Sequence, residues 1–307
     1  MALPVDPKKI KEVAEGVIED LASEVKLNVY VDTTCNPAMI DSISKFLSGA
    51  DDGVTINFID IDKKVLGLEF LPDFGIILAG SDKYSVLCYK ALQIKGVPAL
   101  ILGLDPNPII FASKDEDVNI FRQDFICPAL NTYSRVENNE INFSDYNKAM
   151  DNSLKSKIVD WMYIYSDAAQ VSYALNFPFL RPAISRRIIN ACAIENAGLS
   201  MLKILPGIDM PLCIANQVKM LLELAAIYGY EISVNRIVEI IFVIASNIGL
   251  RELSAYVSGK VPVPKFLIDG TFGLAGTELL GLAAREYFSR GLAVDGLIEK
   301  CKSLFKK

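Results

Sequence analysis

From Phe177 to Arg290 the chain is a long apolar stretch broken at intervals by Gly, Pro, Asn and Asp: FPFLRP, LPGIDMPLCIANQVKM, AAIYGY, NIGLRE and GTFGLAGTELLGLAAREYF. Helices that are apolar on nearly every side must be buried among other helices or turned to lipid. The punctuating residues demand bends and ends, so the stretch reads as several packed helices and not as strands. Apolar helices are predicted near Leu154–Leu175, Ile184–Leu205, Met210–Tyr228, Val234–Val257 and Leu267–Phe288. Crossing a membrane takes about 20 largely uncharged residues. Ile240–Leu250 falls short of that, while Lys219 and Glu223, or Glu195 and Lys203, interrupt the longer candidates. Each such charge costs about 2.5 kcal/mol or more in mid-membrane. A compact bundle that is soluble, or that docks on a membrane surface, a partner or a second copy, is the expectation.

Polar residues inside such a bundle need partners. Pro206-Gly207 ends one helix, and Asp209 stands where its carboxylate would cap the next, with Pro211 in the first turn. Asn216 and Gln217 follow on an apolar face, with Asn196 or Glu195 as expected partners across the helix interface. The functional alternative is a polar pocket for a headgroup or small anion, with Arg181, Lys219 and Arg251 as donors. Gly273, Thr277 and Gly281 recur every fourth residue and form a small ridge that lets another backbone approach.

The front half has a different grammar. LNVYVD (Leu27–Asp32), Val54–Asp62, Phe74–Gly80 and Val97–Asp105 read as strands, alternating with helices over 37–47 and 83–95. Asn36-Pro37 suits an N-cap followed by Pro at the first helical position. DVNIFRQDFICPAL would add one more helix, and the first 25 residues an amphipathic one without a signal core, which either assists docking on a membrane or, as is usual, packs on the sheet. The fold class is therefore an α/β domain with a parallel sheet over residues 1–130, a polar linker over 131–144, and an all-α apolar helical domain over 145–307.

In an open α/β sheet, ligands sit beyond the carboxyl ends of the strands. Those ends carry Asp32-Thr33-Thr34, Asp60 and Asp62, Gly80-Ser81-Asp82 and Asp105. Oxygen ligands of this kind suit Mg²⁺, and the same residues also end strands and cap helices. VDTTCN is similar to the Asp-x-Ser-x-Ser metal motif of von Willebrand A-type domains, with Asn36 where the second hydroxyl stands. The order of elements resembles a small GTPase. However, no GxxxxGK[ST] follows the first strand, and Asp105 is all that remains of the guanine-reading motif. The frame is nucleotide-binding-like, without the grip.

Other chemistries are narrowed by composition. The chain has no histidine, which removes the usual neutral-pH base and every His-ligated metal site. Six cysteines stand singly, without a CxxC pair, as reduced and mostly buried thiols. Cys35 lies one residue before a predicted helix, where a thiol pKa would fall, yet no Lys or Arg neighbours it. A net charge of −6 without a basic run argues against nucleic acid. The expected address is the cytoplasm, or the inner face of the cell membrane as a peripheral protein.

The segment FPFLRPAISRRIINACAIENAGLSMLKILPGIDMPLCIANQVKMLLELAAIYGY, with GLREL, KVPVP and GTELLGLAAREYF after it, resembles the DUF697 family of bacterial proteins. The likeness is to actinobacterial-type members that pair this module with a small α/β N-terminal domain. Other members stand beside GTPase domains or in inner-membrane proteins. The resemblance implies build and neighbourhood but no reaction. The expected function is non-enzymatic: a pseudo-nucleotide fold coupled to a helical interaction module. The alternative is a Mg-dependent or nucleotide-binding enzyme with its site at the sheet edge.

Overall fold

The computed structural model describes residues 7–22, 24–51, 53–61, 71–127, 148–202, 209–232 and 265–290. Five strands form one sheet: β1 (Val25–Asp32), β2 (Val54–Ile61), β3 (Phe74–Leu78), β4 (Ala99–Leu102) and β5 (Phe125–Ile126). All are parallel, in the order β2-β1-β3-β4-β5. The register runs Leu27 against Phe74 and Val31 against Leu78. Successive connections leave β1 in opposite directions, so the topological switch point lies between β1 and β3.

Strands β3 and β4 are buried along their whole length, and β1 everywhere except Lys26. That is why their sequences are nearly continuous apolar runs and do not alternate. Helices α2 (Pro37–Leu47), α3 (Tyr84–Ile94), α4 (Pro106–Asp115) and α5 (Lys148–Tyr165) accompany the sheet. Tyr30, Ile77 and Ile101 form one core with Val86, Tyr89 and Leu92 of α3 and Ile109 and Ala112 of α4. The strand period of two turns Leu27 and Phe74 to the other face. There the Phe74 and Trp161 rings meet edge to face at 5.8 Å, and α5 packs on α2. Asn36 caps α2 by accepting from the Ala38 N–H at 2.9 Å, with Pro37 first in the helix, as the sequence predicts.

Two expectations for this region are corrected. DVNIFRQDFICPAL is not a helix where it is described: Arg122–Asp124 is a 3-10 turn leading into β5, and 128–130 lie outside the described residues. The unexpected helix is α4. Asp105 caps it by accepting from the Asn107 N–H at 2.9 Å, and Pro106 opens it.

The linker expected over 131–144 lies outside the described residues, and contacts group the chain into two units. One unit holds residues 24–168 and 176–180; the other holds 1–23, 169–175 and 181–307. Helix α5 therefore belongs with the sheet. Helix α1 (Pro7–Leu21) packs on α8 (Asp209–Ile227). The other described elements of this second unit are α6 (Gln170–Asn176, whose last residue falls in the sheet unit), α7 (Arg181–Leu202) and α9 (Lys265–Arg290).

Every residue from Met220 to Ile227 of α8 is buried, because α1, α7 and α9 all pack on it. Enclosure on all sides explains why this stretch is apolar on all sides except for Glu223. Helix α7 instead buries a stripe: Ile184, Ser185, Ile188, Ile189, Cys192, Ala193, Asn196 and Ala197. Gly281 of α9 meets α7 and α8 so closely that a Cβ there would lie 2.6 Å from Ile189 Cγ1 and 3.0 Å from Met220 Sδ. Among the described residues no helix is long and apolar enough to cross a membrane. The helix predicted over Val234–Val257 lies outside the described residues.

Because Gly281 sits at that contact, Gly281→Val is expected to lose about 1–3 kcal/mol of stability from overpacking. Urea denaturation followed by far-ultraviolet circular dichroism measures it.

Candidate functional site

The switch point is where the sequence places its ligand residues, and two of them, Asp32 and Thr34, are already engaged there. Asp32 ends β1 and is buried. Its Oδ1 accepts from the Thr34 N–H at 2.9 Å and the Thr34 hydroxyl at 2.7 Å, while its Oδ2 accepts from the Ser85 hydroxyl at 2.9 Å. Thr34 Oγ1 in turn accepts from the Ser81 N–H at 2.7 Å. The loops after β1 and β3 are stitched together by this chain of bonds. Gly80 lies so near that a Cβ would overlap Thr34 Oγ1 and stand 2.5 Å from Thr34 C and 2.7 Å from the Cys35 nitrogen.

The remaining predicted ligands do not converge on it. Asp32 pairs in register with Ile61, so Asp60, one residue earlier, points to the opposite face of the sheet. Asp60 and Thr33 are exposed and Asp82 is half-buried. Asp62 lies outside the described residues. Among the described residues no three His, Cys, Asp or Glu side chains group to hold a metal. What is left is a cleft of about 180 Å³ between Thr34, Asn36, Gly80, Ser81, Asp105 and Pro108. Burial, and after it the Asp32 carboxylate, pushes the Cys35 thiol up to about 12, opposite to what a nucleophile needs.

The polar positions of the helical unit are also partnered. Asn196, wholly buried, donates to Thr277 Oγ1 at 3.0 Å and to the Cys213 carbonyl at 3.2 Å, and it accepts from Asn216 Nδ2 at 3.2 Å. Gln217 donates to the same Thr277 hydroxyl at 3.0 Å. The expected partner of Asn216 is thus the one found, and the amides fill the α7–α8–α9 contact instead of lining a pocket. Arg181 donates to the Ala174 and Leu175 carbonyls at 3.2 and 2.9 Å, closing the end of α6. Asp209 is the first residue of α8, and Arg251 lies outside the described residues.

Two features were not singled out by the sequence. Asp124, buried just before β5, accepts from the Trp161 Nε1–H and Tyr165 hydroxyl on one oxygen, both at 2.9 Å, and from the Tyr89 hydroxyl at 2.8 Å on the other. Burial raises the pKa of both tyrosines, and the carboxylate beside them raises it further. The available clue was Trp161 and Tyr165 four residues apart on one helix, two hydrogen-bonding aromatics with polar ends to satisfy. Beside β5 lies a second cavity, about 590 Å³, between α4, α5 and the 118–127 strip.

The other feature is Glu223 on the enclosed helix α8. Burial pushes its pKa up to about 7; Lys219, 3.9 Å away, opposes this, while Asp20 and Glu195 add to it. Compared with known proteins, the chain matches no family model, no curated protein and no solved structure.

Two outcomes follow from this geometry. Gly80→Ala sets a methyl against the backbone of Thr34 and Cys35, which no rotamer change relieves. A loss of about 2 kcal/mol is expected in urea unfolding followed by Trp161 emission. For Glu223 the folded pKa lies above the ordinary 4.5, so its contribution is complete below about 4.5 and is lost as pH rises through about 7. Glu223→Gln is therefore expected to stabilise the helical unit at pH 8 by about 1–3 kcal/mol. Unfolding midpoints measured from pH 5 to 8 should fall for the natural chain and stay flatter for the variant.

Proposed function

We propose that this protein acts by binding and not by catalysis. Its sheet unit is a pseudo-nucleotide fold, and its helical unit an all-α apolar module, of DUF697 type on its sequence segments alone, that associates with a membrane surface, a protein partner or a second copy. The observation that carries the reading is the switch point. A doubly wound sheet takes its ligand in the crevice beyond β1 and β3. In this chain the hydroxyl of Thr34 and the close approach of Gly80 narrow that crevice to a cleft of about 180 Å³. No glycine-rich phosphate loop follows β1, and Asp32 is fully engaged by its neighbours. A phosphate that took the Ser81 amide would first have to break its bond to Thr34.

On the helical side, Ile194, Leu212 and Leu274 are exposed at 66%, 36% and 39%. They stand near Asn196, Cys213 and Thr277, which hydrogen bonds bring to one level of the bundle. Three apolar side chains offered from three helices support association through this unit. The chain's address on this reading is the cytoplasm or the cytoplasmic face of a membrane, held peripherally. The second reading, a Mg-dependent or nucleotide-binding protein using Asp32, Thr34, Asp60 and Asp82, rests on the small cleft alone.

The two separate in one pair of measurements. Titration calorimetry with Mg²⁺ and with guanine and adenine nucleotides is expected to give no heat. Sedimentation with and without anionic vesicles is expected to show the full chain associating with itself or with lipid. Nucleotide binding abolished by Asp32→Ala would instead establish the second reading. A strictly monomeric protein without lipid affinity would remove the first as regards lipid and self-association.

A further inference from the structure

The 590 Å³ cavity beside β5 takes no part in the switch point, and its size lies within the range of small-molecule sites. Its floor is apolar and buried: Ile109 of α4, Val118, Ile126 of β5 and Trp161 of α5. Trp161 has its one polar atom turned to Asp124 at 2.9 Å, so the ring offers the groove only carbon surface. The same bond fixes the floor in place, which lowers the cost of ordering it around a ligand.

The walls carry the charge. Arg122 is exposed and Lys157 half-buried, and both line the cavity. In the sheet unit Lys26, Lys45, Lys83 and Lys155 each face a carboxylate within 3.1 Å, while Lys95 and Lys114, away from the cavity, face none among the described residues. Arg122 and Lys157 face none among the described residues, in a chain whose net charge is −6. Asp160 also lines the cavity and leaves a balance of one positive charge. An apolar floor beneath two unpaired cations matches a molecule with a hydrocarbon body and an anionic end.

We infer that the groove between α4, β5 and α5 binds a small amphipathic organic anion, its chain on Ile109, Val118, Ile126 and Trp161 and its anionic group between Arg122 and Lys157. This is independent of how the helical unit associates, since every residue involved belongs to the sheet unit.

The chain contains a single tryptophan, so its emission reports this cavity directly. The full-length protein is titrated with decanoate, with decanol as the uncharged analogue, and with anionic phospholipid vesicles. Decanoate is expected to shift Trp161 emission saturably, with affinity about tenfold above decanol. The variant Arg122→Gln with Lys157→Gln should lose that tenfold preference at an unchanged melting temperature, because neither side chain holds an ion pair to be lost. Asp160→Asn should tighten decanoate binding a few-fold and leave decanol alone. The inference is overturned if decanoate leaves the emission unmoved, if decanol binds equally well, if the double variant keeps its preference, or if only vesicles give a response.

Discussion

Gly80 must lack a side chain because the loop after β3 runs against the backbone of the loop after β1, and Thr34 fills the space between them. Most of what the sheet end can do follows from that approach. In doubly wound sheets the crevice at the switch point exists because the two loops diverge. Here Ser81 N–H, Thr34 Oγ1 and Asp32 Oδ1 form one hydrogen-bonded path across it. A donor that a phosphate would use, the Ser81 amide, is thus satisfied from within. The Asp32 carboxylate, which a cation would use, accepts three bonds from its own loop and from α3. Asp32 and Thr34, two of the residues expected to meet a ligand, are turned toward each other.

The same logic distinguishes the buried polar groups elsewhere. Asp124 accepts three bonds from neutral donors and ties β5 to α3 and α5. Asn196 unites α7, α8 and α9 through Thr277, Asn216 and the Cys213 carbonyl. Both are networks in which the cost of burial is offset by good partners, and such networks fix which helix faces meet. Glu223 differs. Its nearest cation is a largely exposed lysine at 3.9 Å, and the other charges acting on it are negative. Burial there is compensated least, which is why its proton is held up to about 7.

How legible this was in the sequence varies with the kind of signal. Strands β1 to β4 were readable because a parallel sheet covered on both faces leaves unmistakable apolar runs, and the α2 cap because Asn36-Pro37 is a local device. The Asn216–Asn196 pairing was also foreseeable, since a buried amide must find a partner and few were on offer. Strand β5 was not, because two residues, Phe125 and Ile126, carry no periodicity and the surrounding NIFRQDFI suits a helix equally well. Its pairing with β4 is a tertiary decision, reinforced by Asp124 reaching Tyr89, Trp161 and Tyr165. Helix α4 was overlooked although Asp105-Pro106 announces it. Asp105 stands both at a strand end and where a guanine-reading motif would keep its aspartate, and its carboxylate caps the helix. The close approach of Gly80 to Thr34 had no sequence signature at all, because it depends on two loops 46 residues apart meeting at the sheet edge.

The excess of apolar residues in the second half need not imply lipid. Helix α8 is enclosed from Met220 to Ile227, with α1, α7 and α9 against it, and such a position admits few polar side chains whatever surrounds the bundle. Helix α1 is one of the three walls, although it is separated from α8 by nearly the whole sheet unit in sequence. Its amphipathic pattern therefore reflects packing on α8, and a membrane role for that face would require it first to leave its partner. Among the described residues, what the unit offers outward is a sparse set of apolar side chains such as Ile194, on the solvent side of a stripe whose buried members are Cys192, Ala193, Asn196 and Ala197. Scattered apolar groups give shallow contact area, which in the proposed binding role suits reversible association better than insertion.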